Sequence, residues 1–152
     1  RMMARPGEAD YSSFSLLCGA AYRISPLISL KGASFYPEPR VESQGLRLDL
    51  REDCVFLNGA PVILKPLIRG LFASRRKTVK NNLQSFITSR LRAGDGTALA
   101  EEALARSGIA PAERAERLGL PEFIRIAESL EALPDWPSAG MPPLFRPPET
   151  PE

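Results

Sequence analysis

Gly45-Leu46-Arg47-Leu48-Asp49-Leu50 alternates apolar and polar residues, whereas Leu64-Lys65-Pro66-Leu67-Ile68-Arg69-Gly70-Leu71-Phe72, a short way along the chain, does not. The first stretch has the period of two that puts Leu46, Leu48 and Leu50 on one side of a β-strand. In the second, apolar residues recur at i, i+3, i+4, i+7 and i+8, the stripe of an amphipathic helix. That change of period sets the expected class, α+β with strands first and helices afterwards.

Upstream, Phe14 to Leu30 is rich in apolar and small residues, with Pro26 interrupting, and reads as one or two strands buried on at least one face. Between the strand segments, two prolines hold Phe35-Tyr36-Pro37-Glu38-Pro39-Arg40 extended and loop-like. Asn58-Gly59 reads as a turn. Downstream, Val79, Leu83, Phe86 and Ile87 continue the helical spacing. Thr97 is the expected N-cap of a helix through Leu99, Ala103 and Leu104, and Gly108 its end. Pro111 fits the first position of a short helix closing near Gly119. Pro121 opens a last helix with the stripe Phe123, Ile126, Ala127 and Leu130. Seven prolines within 134–152 predict an extended, disordered tail. Two or three strands leave edges and a face uncovered. The rest of the sheet is therefore expected upstream of Arg1, where the chain starts without Met.

The chain has 152 residues and no histidine. Its length suits one domain, or a small domain with part of another. The missing histidine excludes Ser-His-Asp and Cys-His nucleophiles and every His-containing metal site. Cys18 and Cys54 form no CxxC, so a zinc cluster is excluded and both read as small buried apolar groups. No signal peptide and no apolar run near 18 residues is visible. A cytoplasmic protein with no membrane partner is the expectation.

Net charge is +2, but it is unevenly spread. Residues 1–64 hold seven basic and seven acidic side chains, and residues 93–152 five basic and eleven acidic. Residues 65–92 hold eight basic residues (Lys65, Arg69, Arg75, Arg76, Lys77, Lys80, Arg90 and Arg92) and no acid. That is a footprint for a polyanion, against the blander alternative of a solvated helix face. Glu101, Glu102, Glu113 and Glu116 have basic neighbours and read as solvated ion pairs rather than acid–base catalysts. Gly94-Asp95-Gly96 begins a GxG, but Leu99 stands where the third glycine belongs and no strand is expected before it.

Two segments carry chemistry. Phe35-x-Pro37-x-Pro39-x-Val41-x-Ser43 can hold an aromatic ring rigidly at a sheet edge, where it would stack on an unstacked base. The alternative is that Phe35 or Tyr36 packs as core beneath the helices. In Arg75-Arg76-Lys77-Thr78-Val79-Lys80-Asn81-Asn82, a helix would pair Arg76 with Lys80 and Lys77 with Asn81 at i, i+4. One cationic polar face is expected opposite Val79 and Leu83. Arg binds phosphate through a fork, Lys as a point charge, and Asn reaches sugars or base edges.

In this order and spacing the segments resemble the C-terminal half of the ribosomal RNA adenine dimethyltransferases. The likeness runs through Tyr11-Ser12-Ser13-Phe14-Ser15, Phe35 to Ser43, Phe72 to Asn81, and Arg114-Ala115-Glu116-Arg117-Leu118 with Phe123, and covers about residues 1–133. It implies terminal strands of a Rossmann-like methyltransferase sheet over 1–52, a small helical rRNA-binding domain over 61–133, and the Pro-rich tail at 134–152. It further implies dimethylation of two adjacent adenines of small-subunit rRNA from S-adenosylmethionine, with the small ribosomal subunit as partner and no metal. Phe35 would pack against the flipped adenine. Arg75, Arg76, Lys77, Lys80 and Asn81, with Arg40 in support, would contact RNA. The family's Gly-rich cofactor loop and Asn-Leu-Pro-Tyr motif are found nowhere in residues 1–152 and are expected upstream. The chain alone is then expected to be inactive and to hold no cofactor site. Three other readings remain: a non-catalytic rRNA-binding module or ribosome-assembly factor, a methyltransferase of the 23S-directed resistance type, and an inert remnant.

Overall fold

The computed structural model of the chain describes residues 1–40, 42–90, 96–134 and 136. Val41, Leu91–Asp95 (with Arg92 of the basic stretch and Gly94-Asp95 of the GxG) and all of the Pro-rich tail except Pro134 and Trp136 lie outside them. The chain is α+β and divides into two compact units, residues 1–59 and 60–152.

The first unit is a helix and a hairpin. Helix α1 spans Ser13–Ala21 and runs directly into β1, Tyr22–Leu30. The strand reading of Phe14–Leu30 is therefore corrected in its first half. A short apolar run does not distinguish helix from strand. Local hydrogen bonds decide it here: the Ser12 N–H donates to Ser15 Oγ (3.2 Å), and the Ser15 hydroxyl donates to the Arg1 carbonyl (2.7 Å). These bonds satisfy one orphan amide at the helix start and tie the N-terminal segment to α1. Tyr11, Leu16 and Ala20 are buried.

Strand β2, Ser43–Leu50, pairs antiparallel with β1, from Tyr22 opposite Leu50 to Leu30 opposite Ser43, with a bulge between Pro26 and Ile28. The alternating stretch is a strand, as expected. Its register places Leu46, Leu48 and Leu50 on one face with Tyr22, Ile24 and Pro26. The expected burial of β1 is a second correction: Tyr22, Leu27 and Ile28 are exposed, as are Leu48 and Leu50 on β2. On the face shared by Tyr22, Ile24, Pro26, Leu46, Leu48 and Leu50 no residue is fully buried. Gly59, at φ +84°, takes the left-handed conformation the Asn58-Gly59 turn requires.

The described residues of the second unit form four α-helices: α2 Leu64–Leu71, α3 Val79–Thr88, α4 Thr97–Ser107 and α5 Leu120–Glu131. Leu64, Leu67, Ile68, Leu71, Val79, Leu83, Ile87, Ala100, Ala103, Leu104, Phe123, Ile126 and Leu130 have no exposed surface. Helix α2 packs on α3 and α5, and α4 on α3 and α5, so each apolar stripe meets two neighbours. Phe86 sits where a Cβ on Gly70 would stand, which fixes how closely α2 and α3 approach. Phe72 stacks on Phe123, ring centroids 5.8 Å apart. The Ile63 N–H donates to Glu131 (3.0 Å), so the last helix caps the first of this unit.

Boundaries differ from expectation in two places. Gly96, not Thr97, is the N-cap of α4; Thr97 is its first residue, and its hydroxyl accepts from Gln84 instead (2.6 Å). Pro111 opens no helix, and only the 3-10 turn Ala115–Arg117 forms before α5. Gly108 ends α4 in the left-handed conformation, as expected. Trp136, within the stretch read as tail, is buried at 4% exposure. No described helix is long and apolar enough to cross a membrane.

Candidate functional site

The basic run does not lie on one helix. Helix α2 stops at Leu71, α3 starts at Val79, and Arg75, Arg76 and Lys77 occupy the turn between them. The i, i+4 pairings expected for Arg76–Lys80 and Lys77–Asn81 are corrected accordingly. The cause is Thr78, whose side chain accepts from the Asn81 N–H (3.3 Å) and caps the helix before the cations are reached.

Two further sets of bonds fix this turn. The Val79 and Lys80 amides donate to the carbonyls of Glu113 (2.7 Å) and Pro111 (3.3 Å). Asn82, 3% exposed, donates its side-chain amide to the carbonyls of Ser74 (3.0 Å) and Lys77 (3.5 Å). With Asn82 N–H on the Thr78 carbonyl, the first four amides of α3 all have protein partners. An anion at this end of α3 must therefore be held by side chains, unlike the usual helix-terminus site. Asn82 was missed in the sequence, although a signal existed: a polar residue in the apolar phase of Val79, Leu83 and Phe86.

The cations fall into two groups. Arg75 pairs with Glu116 (3.3 Å) and Lys80 with Glu101 (2.6 Å). Such half-exposed pairs are worth no more than about 1 kcal/mol, and a phosphate can replace the carboxylate. Arg76 and Lys77 are exposed and have no ion-pair partner among the described residues. They stand beside the positive end of α3, where each cation costs about 0.3–1 kcal/mol. Stability would favour acids at this position. Their charge is suited to an external anion instead. Asn81 is exposed beside them. Other pairs expected from the sequence do form: Glu102 with Arg106 (2.6 Å) and Glu113 with Arg117 (3.9 Å).

Phe35 and Arg40 belong to the first unit. A 3-10 turn at Gly32–Ser34 leads into Phe35, and a Cβ on Gly32 would stand 2.9 Å from the Pro39 carbonyl, so the loop folds closely back on itself there. Phe35 is 41% exposed and Tyr36 wholly so. The reading of either as core is overturned, and both rings are open to stacking. Arg40 is exposed. In the same unit, Arg23, Asp49, Leu50, Arg51, Glu52 and Asp53 line a cavity of about 310 Å³. There the Arg51 guanidinium donates to Asp53 and holds its carboxyl below the usual aspartate range. Both cysteines are free; Cys54 is buried, and partial burial pushes the Cys18 thiol up.

No turn from a strand into a glycine-rich helix start exists among the described residues. Gly96 follows α3 rather than a strand, and a Cβ there would meet Ile87 at 2.9 Å, so it packs inward instead of opening to a phosphate. No described group of three His, Cys, Asp or Glu residues could hold a metal ion.

The family described as ribosomal RNA adenine dimethylase matches residues 1–131. Ribosomal RNA small subunit methyltransferase A of Treponema pallidum subsp. pallidum is 38% identical over 137 residues, covering 88% of this chain and 46% of that protein. The protein of the same name from Shouchella clausii is 32% identical over 142 residues, 86% of this chain and 43% of its own length. The crystal structure of a dimethyladenosine transferase from Plasmodium falciparum superposes with a TM-score of 0.60 at 20% identity, covering 83% of this chain and 51% of that one, which is a likeness of fold. The chain spans about half the length of the curated relatives it matches.

Proposed function

The chain belongs to the ribosomal RNA adenine dimethylase family, and on that premise we propose that it is part of a cytoplasmic, S-adenosylmethionine-dependent rRNA dimethyltransferase. The substrate is a pair of adjacent adenines in small-subunit rRNA, and the partner is the small ribosomal subunit. Residues 1–52 act as the last strands of the Rossmann-like methyltransferase sheet, and residues 61–133 as the domain that grips rRNA.

Arg76 and Lys77 make the leading phosphate contacts. Arg75 and Lys80 exchange their carboxylate partners for phosphate when RNA arrives, with Asn81 at sugar or base edges and Arg40 in support. Phe35 stacks on the adenine turned out of its helix. Extrusion costs a few kcal/mol, and stacking of about 1–3 kcal/mol per base offsets part of it. S-adenosylmethionine supplies the methyl group. The described residues do not form its cradle, since Gly96 packs inward against Ile87 of α3, and the chain by itself neither binds the cofactor nor methylates.

The observation that carries this reading is the pair of cations Arg76 and Lys77, without an ion-pair partner among the described residues, on a turn held by hydrogen bonds within an acid-free stretch. Arg76→Ala and Lys77→Ala should each weaken rRNA binding and flatten the slope of log K against log [salt] by about one unit. Unchanged slopes in both variants would overturn the assignment. The second reading is a non-catalytic rRNA-binding module. The two are separated by adding S-adenosylmethionine to the endogenous protein: tight binding raises its melting temperature, and a cofactor-less module shows no shift.

A further inference from the structure

We propose that Tyr36 holds the base next to the flipped adenine, which makes the 31–40 loop a clamp for two adjacent nucleotides; this rests on the reading of the chain as part of an rRNA dimethyltransferase. The first support is the state of the two rings at the tip of the loop. Phe35 is partly exposed and Tyr36 wholly so. Neither ring touches another aromatic group among the described residues, and the Tyr36 hydroxyl has no hydrogen-bond partner there. The Phe35 backbone is extended (φ −126°, ψ 152°), so the two successive side chains diverge. Tyr36 therefore buries no surface in its own unit, and both faces of its ring are open to a partner.

The second support is the chemistry of the substrate. An adenine turned out of its stack leaves its neighbour with a bare face as well. Phe35 covers one base, and a second ring on the next residue matches a second base on the next nucleotide. Stacking of this kind tolerates any base, because every base has a π-face. The phenol of Tyr36 adds a donor and an acceptor that Phe35 lacks.

The third support lies at the base of the loop. Gly32 and Pro39 approach so closely that a Cβ on Gly32 would stand 2.9 Å from the Pro39 carbonyl. Closure there places Lys31 and Arg40, the next residue on each side, at the foot of the loop. Both are exposed, and neither has an ion-pair partner among the described residues. Glu38 is the only acid of residues 31–40, and its carboxylate lies over Gly32, 3.0 Å from that same Cβ position. Two rings at the tip and two cations at the foot suit a short strand with its bases splayed and its phosphates paired. The Ser34 and Phe35 amides donate to the carbonyls of Lys31 (2.9 Å) and Gly32 (3.0 Å), so the loop is formed before a ligand arrives and loses little freedom on binding.

The test uses the whole 152-residue chain and three RNA hairpins of one sequence with two adjacent adenines in the loop. One hairpin is intact, one is abasic at the first adenine and one at the second. In anisotropy titrations Tyr36→Ala should bind the intact hairpin about tenfold more weakly than the wild-type chain. Tyr36→Phe should restore binding to within about twofold, since the ring carries the stacking. On one abasic hairpin Tyr36→Ala should bind as tightly as the wild-type chain, and on the other Phe35→Ala should do so. The salt slope of Tyr36→Ala should be unchanged, because stacking releases no counterions. Circular-dichroism melts verify that each variant is folded. Wild-type binding of the intact hairpin by Tyr36→Ala overturns the inference and leaves the rRNA assignment standing. A loss that persists on both abasic hairpins, or that vanishes on the same one for both rings, does likewise. A wild-type chain that binds none of the hairpins overturns both.

Discussion

Among the described residues of 60–136, Val62 is the only large apolar side chain left exposed; among those of 1–59 there are ten, including Phe14, Tyr22, Leu27, Phe35, Tyr36, Leu48 and Leu50. The difference lies in architecture more than in composition. Four amphipathic helices can each turn one stripe inward and close a core. A two-stranded hairpin has two faces and two edges, and one nine-residue helix does not cover them. The helical unit thus buries its apolar residues in a core and exposes charge. The hairpin unit keeps apolar and aromatic groups, Phe35 and Tyr36 among them, at its surface.

Truncating the core should give the largest contrast between the units. Phe123→Ala removes a fully buried ring stacked on Phe72 and should cost about 3–5 kcal/mol, read as a lower melting temperature from Trp136 emission. Leu50→Ala, at a site 58% exposed, should change stability by no more than about 0.5 kcal/mol in a circular-dichroism melt. Equal costs would break the comparison. A smaller effect is expected from Asn82→Ala, which leaves the Ser74 and Lys77 carbonyls without their amide donor, at about 1–3 kcal/mol. Because that amide holds the turn bearing Arg76 and Lys77, the salt slope of RNA binding should flatten as well. A change in melting alone would make Asn82 purely structural.

Arg75→Ala should cost less than about 1 kcal/mol, since its pair with Glu116 is half exposed. The same variant tests whether Arg75 is a brace or a phosphate ligand, because only a ligand changes the salt slope. The smallest effect belongs to the Arg51–Asp53 pair. The Asp53 carboxyl is held below its ordinary value, so its contribution to stability is present above that value and is lost as pH falls through the depressed one. Arg51→Ala should move the Asp53 titration, followed by NMR, up toward an ordinary aspartate. It should leave the melting of the helical unit unchanged.

Much of the fold is legible in particular residues. The alternation of Leu46, Leu48 and Leu50, the stripe from Leu64 to Leu71 and the left-handed stop at Gly108 all follow from period and local conformational preference. The run from Phe14 to Ala21 was not legible, because an apolar stretch that short fits either element. The Ser12–Ser15 bond that settles it is a matter of a few ångströms at one end. At the candidate site, the sequence marked Arg75, Arg76, Lys77, Lys80 and Asn81 by charge and motif, but misjudged where α3 begins and passed over Asn82.

By itself, then, the sequence determined the class of the fold, the family to which the chain belongs, and the concentration of positive charge in one acid-free stretch. Only the tertiary structure decided which cations remain open. The acids that occupy Lys80 and Arg75 arrive from Glu101 and Glu116, 21 and 41 residues away, and the carbonyls that close the start of α3 come from Pro111 and Glu113. Charge and period are properties of neighbours in the chain, whereas neutralisation depends on which distant residues packing brings within hydrogen-bonding distance.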